Sequence, residues 1–178
     1  MKASFCVGAL AGALLTTAAH AAAPEPAKPV DPAKFFTGRW YEIGRKPQML
    51  TNGCVAGWTE YTSGEKGRLM VLDACYDKTP SGKLKTIGGP ADMLDEATHA
   101  KIRVHYKFGI IPIGKDYWIL DHDADYSWFL EASPSFEELW IYTRAANPAP
   151  ELVQELKKKA QGFGYDTSKL EFPTQTGK

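Results

Sequence analysis

Between positions 100 and 106 the chain alternates with period two: Ala100, Ile102, Val104 and Tyr106 fall on one side, and Lys101, Arg103 and His105 on the other. An extended strand with one dry and one wet face is what turns that pattern into burial. Seven more short runs of related character follow the same logic, at 39–45, 55–62, 68–76, 83–87, 117–122, 126–132 and 138–143. Turn-forming clusters such as Ser63-Gly64-Glu65-Lys66-Gly67 and Pro80-Ser81-Gly82 separate them. After the last run, Leu152, Val153, Leu156 and Ala160 recur at helical spacing behind Pro148 and Pro150, with Gly162 and Gly164 at the end. The expectation is an all-β domain of eight sequential strands with one helix over about 150–162. Pattern alone leaves two architectures open, an up-and-down barrel and a two-layer sandwich.

The first residues read differently. Lys2 gives a positive start, 7–19 is apolar or small but too short to span a bilayer, and Ala19-His20-Ala21 is a small-x-small cleavage pattern. This predicts a secretory leader over 1–21, cleaved after Ala21 or, as second choice, Ala23. Positions 22–34 are rich in proline and alanine and read as an extended, mobile tether. The domain proper is then 35–178. Lysines and arginines number 21 and so do aspartates and glutamates; such a balance leaves no electrostatic footprint for nucleic acid. The expected setting is periplasmic or secreted, as a monomer or weak dimer.

Of the three cysteines, Cys6 departs with the leader and stands too early to become a lipid-modified terminus, so no lipid anchor is expected. Cys54 and Cys75 remain, an even pair in an oxidising compartment. If the hairpin between runs two and three turns at Gly64-Glu65, the two cysteines lie directly opposite each other, with Cβ atoms about 4.5–5.5 Å apart. That spacing predicts a disulfide.

Three segments carry a resemblance. Gly38-Arg39-Trp40-Tyr41-Glu42-Ile43, on the first run, resembles the opening motif of the lipocalin family. Asp123-Ala124-Asp125-Tyr126 resembles the second motif, with alanine in place of threonine, and Leu139-Trp140-Ile141-Tyr142-Thr143-Arg144 the third. The segment from Gly164 to Leu170 is similar to that following the helix in bacterial and apolipoprotein-D-like members. The resemblance spans about 35–172 and implies the closed alternative: an eight-stranded antiparallel up-and-down β-barrel with one C-terminal α-helix packed on it. It also implies a scaffold role for Gly38, Trp40, Asp125, Tyr126 and Arg144. Arg144 would pack over Trp40 at the closed end, and the Asp125-Tyr126 pair would tie the turn between strands six and seven.

An eight-stranded barrel has room for one small ligand. Alternation and the third motif nominate Val104, Tyr106, Tyr117, Trp128, Leu130, Trp140 and Tyr142 as inward-facing ligand contacts, suited to a guest with an acyl or ring body and a polar end. Burying ten methylenes at about 0.8 kcal/mol each would offset the cost of association. The expected partner is a fatty acid, lysophospholipid or similar molecule, and no cofactor is called for. The stretch 108–113, from Phe108 to Ile113, is apolar and reads as a flexible lip available for transient membrane contact.

Two other chemistries are weaker. Asp121-His122-Asp123-Ala124-Asp125 fails as a calcium loop, since its sixth position is Tyr126 and its twelfth Ala132, and no metal site is expected. Glu42 shares the parity of Trp40 and reads as a buried carboxylate of raised pKa. That gives an alternative in which the barrel is an active-site cup, but no nucleophile motif accompanies it. A third reading is a barrel filled by its own side chains and used for protein interaction.

Overall fold

The structure is a computed structural model and describes residues 22–176; the expected leader, 1–21, lies outside the described residues. Eight strands run β1 Gly38–Arg45, β2 Cys54–Ser63, β3 Leu69–Asp77, β4 Leu84–Met93, β5 Lys101–Phe108, β6 Ile111–His122, β7 Trp128–Ala132 and β8 Leu139–Thr143. Each pairs antiparallel with the next, and β8 returns to β1, so the sheet closes into a barrel with no free edge. A short turn of helix, α1 (Pro32–Phe35), precedes β1, and α2 (Pro150–Gly162) follows β8. The barrel, not the sandwich, is the answer to the alternation.

Closure requires bends, and they fall at three register shifts: between Glu42 and Gly44 in β1, Val55 and Trp58 in β2, and Ile119 and Asp121 in β6. The C-terminal segment repairs the first two. The Gln175 side chain donates to the Glu42 and Gly57 carbonyls at 2.6 and 3.2 Å, and Ala56 N donates to Thr174 O at 2.8 Å. Backbone groups released by the bulges thereby regain partners.

Several boundaries differ from the sequence reading. Strand β4 continues through Gly88-Gly89-Pro90 to Met93. A Cβ at Gly89 would stand 1.9 Å from the His105 carbonyl oxygen, so these glycines mark a close approach of two backbones, not a turn. The lip at 108–113 is a tight hairpin: Phe108 pairs with Ile111, and Gly109 at φ +61° makes the turn. Strand β7 starts at Trp128, because 123–127 forms a turn. Asp123 ties that turn, accepting from Ser127 N at 2.6 Å, while Asp125 is exposed. The turn-tying role therefore belongs two residues earlier than expected.

The 22–34 segment is not a free tether. Ala23 is buried against Leu120 and Ala132, and its N–H donates to Pro134 O at 3.0 Å. Val30 N donates to Thr98 O at 2.7 Å, Asp31 N to the Tyr126 hydroxyl at 2.8 Å, and the Pro29 carbonyl meets His122 Nε2 at 3.0 Å. Asp31 then caps α1, which plants Phe35 in the barrel's closed end.

Helix α2 lies on the outside. Leu156 and Ala160 are fully buried against Ile43, Leu130, Leu139 and Ile141, and the helix ends in a Schellman closure, with Tyr165 N on Ala160 O and Gly164 N on Gln161 O. Trp128 and Leu130 belong to this outer core. The sequence reading placed them inside; the inward parity of β7 is that of Phe129 and Glu131.

Candidate functional site

The barrel is solid at one end and hollow at the other. At the closed end Trp40 is fully buried among Phe35, Phe129 and Ile102. The Arg144 guanidinium lies 3.6 Å from the Trp40 ring centroid. It donates to the carbonyls of Thr37 (2.7 Å), Arg39 (2.9 Å) and Phe35 (3.3 Å), and Trp40 Nε1 also donates to Phe35 O, at 3.2 Å. Gly38 enters β1 at φ +63°, which brings the chain into reach of that guanidinium.

Above this plug is a cavity of about 660 Å³, within the range of small-molecule pockets. Val104, Tyr106, Tyr117, Trp140 and Tyr142 all line it, together with Val71, Ile87 and Ile102. Tyr117 meets Trp140 edge-on at 5.4 Å, and Tyr142 stacks on Phe129 at 4.7 Å. Lys83, Lys85 and Lys107 border the mouth, and all three are exposed. The hairpin tip between β5 and β6 stands over it, with Ile110 99% exposed and Phe108 and Ile111 each 59%.

Polar groups line the middle of the cup, and sequence reading missed most of them. Asp73 on β3 accepts from the Tyr106 hydroxyl at 2.6 Å, which is 3.0 Å from the Tyr117 hydroxyl. Burial raises the Asp73 carboxyl above its ordinary range. Glu131 on β7 is 4% exposed, and burial followed by the charge of Asp73 holds it well above the usual carboxylate range. Asp73 was legible in principle, since it shares parity with inward-facing Val71. Glu131 was not, because β7 is apolar on both faces: one turns to the floor and the other lies under α2.

Glu42 is buried as expected, but it is held. Arg45, 2% exposed, bridges it to Glu171 (2.8 Å) and donates to Cys54 O at 2.7 Å. Burial raises the Glu42 carboxyl and Arg45 opposes the rise. Close by, Cys54 and Cys75 are joined as a disulfide, with Cα atoms 5.4 Å apart. The register is diagonal, not direct: Cys54 pairs with Asp77, and the bulge at 55–58 brings the sulfurs together. Among the described residues no cluster of His, Cys, Asp or Glu has metal-binding geometry.

Comparison with known proteins agrees with this architecture. The Lipocalin-like domain family matches residues 30–175. Temperature-induced lipocalin-1 of Arabidopsis thaliana is 34% identical over 139 residues, covering 76% of this chain and 74% of the relative. Outer membrane lipoprotein Blc of Escherichia coli K12 is 29% identical over 145 residues (82% and 80%), and mouse apolipoprotein D 28% over 144 (77% and 73%). Among solved structures, insecticyanin of the tobacco hornworm Manduca sexta superposes with a TM-score of 0.67 at 19% identity, covering 85% of this chain and 84% of that one.

Proposed function

Since the chain belongs to the lipocalin family, we propose that it is a carrier whose cup holds one fatty acid, lysophospholipid or comparable apolar molecule for storage, transport or maintenance of the bacterial envelope. The family as a whole points to small hydrophobic ligands, and its typical members are binding proteins, not catalysts. The observation that carries the reading is the cavity itself. It is apolar-walled, closed below by Trp40 and Arg144, and open above between lysines. An acyl chain entering tail-first would bury its methylenes against Val71, Ile87, Ile102 and Val104 and leave its head near Lys83, Lys85 and Lys107. Glu42 acts as a wall residue in this reading, since its carboxylate is already engaged by Arg45.

The proposed site of action is the periplasm or the exterior. The Cys54–Cys75 bond supports an oxidising compartment. Similarity to an outer membrane lipoprotein supports the envelope. The exposed hairpin tip, with Lys107 beside it, supports transient contact with a lipid surface during loading.

The test is native mass spectrometry of protein purified from its own host, followed by delipidation and titration with a lipid panel. A co-purifying lipid mass, and quenching of tryptophan fluorescence on titration, are expected. A protein that carries nothing and responds to no lipid would instead be a filled or interaction-only barrel.

A further inference from the structure

The cup's polar belt has the wrong sign for an anionic guest. Glu131 points into the cavity, is 4% exposed, and has no hydrogen-bond or ion-pair partner among the described residues. Asp73 faces the same space and accepts from the Tyr106 hydroxyl, which in turn meets the Tyr117 hydroxyl. Of the five cations that line the cup among the described residues, Lys83 and Lys107 stand exposed at the mouth and the other three are paired elsewhere. Arg45 is held by Glu42 and Glu171, Lys115 by Glu138 at 2.9 Å, and Lys85 by Asp77 at 2.6 Å. A buried and a half-buried carboxyl group therefore share an aromatic chamber with no ion pair of their own, the Lys115 ammonium attracting both while bonded to Glu138. An unpartnered buried carboxyl is costly to a fold, and a ligand that completes it recovers that cost on binding.

We infer that Glu131 and Asp73 form an ammonium subsite, so that the cup prefers a hydrophobic amine over an anionic or neutral amphiphile of equal length. A protonated amine has three donors, which fit two carboxylates and the Tyr117 or Tyr142 hydroxyl. The rings of Tyr117 and Trp140, whose centroids already stand 5.9 and 5.7 Å from the Lys115 ammonium, add cation–π attraction. The apolar body of the guest then extends along Val71, Ile87 and Val104. A fatty-acid carboxylate reaching the same depth would meet like charge or force a proton onto one of the three groups. Burial holds both carboxyl groups above their ordinary range, so the empty site favours the neutral acids and an ammonium guest draws off the proton as it binds.

This inference rests on the reading that the cup holds one apolar guest, and it replaces the anionic head group at the mouth with an ammonium in the middle of the cup. The experiment titrates the delipidated protein at pH 7 with dodecylammonium, dodecanol and dodecanoate, each below its micellar concentration, by calorimetry and tryptophan fluorescence. Dodecylammonium is expected to bind at least about tenfold tighter than dodecanoate. In Glu131→Gln and in the Glu131→Gln/Asp73→Asn double variant that preference should shrink toward unity, while dodecanol affinity stays within about twofold. Equal or tighter binding of dodecanoate overturns the inference and leaves the cup reading standing. So does an ammonium preference that survives the double variant. Failure of all three ligands to bind overturns both.

Discussion

The Arg144 guanidinium sits 3.6 Å over the Trp40 indole and satisfies three backbone carbonyls at the barrel's closed end. One side chain thus provides both the lid of the aromatic core and the hydrogen-bond partners of the chain that enters β1. Charge, planarity and reach are all needed for this, which lysine does not reproduce.

Arg144→Lys is therefore expected to destabilise the barrel by about 1–2 kcal/mol, and Arg144→Ala by about 2–4 kcal/mol, since the latter removes the cation–π contact and leaves carbonyls without donors. Urea denaturation monitored by tryptophan fluorescence measures both. A loss below about 0.5 kcal/mol in Arg144→Ala would contradict the structural role.

The Cys54–Cys75 bond closes a loop of 21 residues. Loop-closure entropy puts the loss on replacing both cysteines with serine at roughly 3 kcal/mol. Thermal melts with and without reductant should show the same difference, and denatured, periplasm-derived protein should titrate no free thiol.

Glu131→Gln should stabilise the empty protein at neutral pH, in the range of about 2–4 °C in Tm. Glu131's folded pKa is raised, chiefly by burial, so the native state prefers the protonated acid. The favourable contribution of the acid is complete below its unfolded pKa, near 4.3, and disappears as pH rises through the folded value. The advantage of glutamine is accordingly largest at pH 7 and vanishes near pH 4. Melts of the two proteins across that interval decide it.

Trp140 lines the cup whereas Trp128 lies outside under α2. Ligand-induced quenching should fall by more than half in Trp140→Phe and persist in Trp128→Phe. Quenching that followed Trp128 instead would place the guest outside the barrel.

Ala23 is buried with its N–H bonded to Pro134 O, so a leader cut after Ala21 preserves this seat and a cut after Ala23 destroys it. N-terminal sequencing of the exported protein should begin at Ala22.

The amino-acid order by itself settled the strand count, the C-terminal helix and the cysteine pair, because these depend on periodicity and compartment, while the plug of Trp40 and Arg144 came from the family resemblance. It misread what depends on the neighbour across the sheet. The fourth run ends at 87 by its pattern whereas the strand continues to Met93, since only the approach of the His105 carbonyl explains the glycine at 89. Trp128 and Leu130 read as inward because alternation gives two faces without saying which is inside, and α2 makes the outer face of β7 as dry as the inner one. The carboxylates of the cup emerged only with tertiary structure: Asp73, Glu131 and Glu42 are far apart along the chain and meet only when β1, β3 and β7 face one another across the closed barrel.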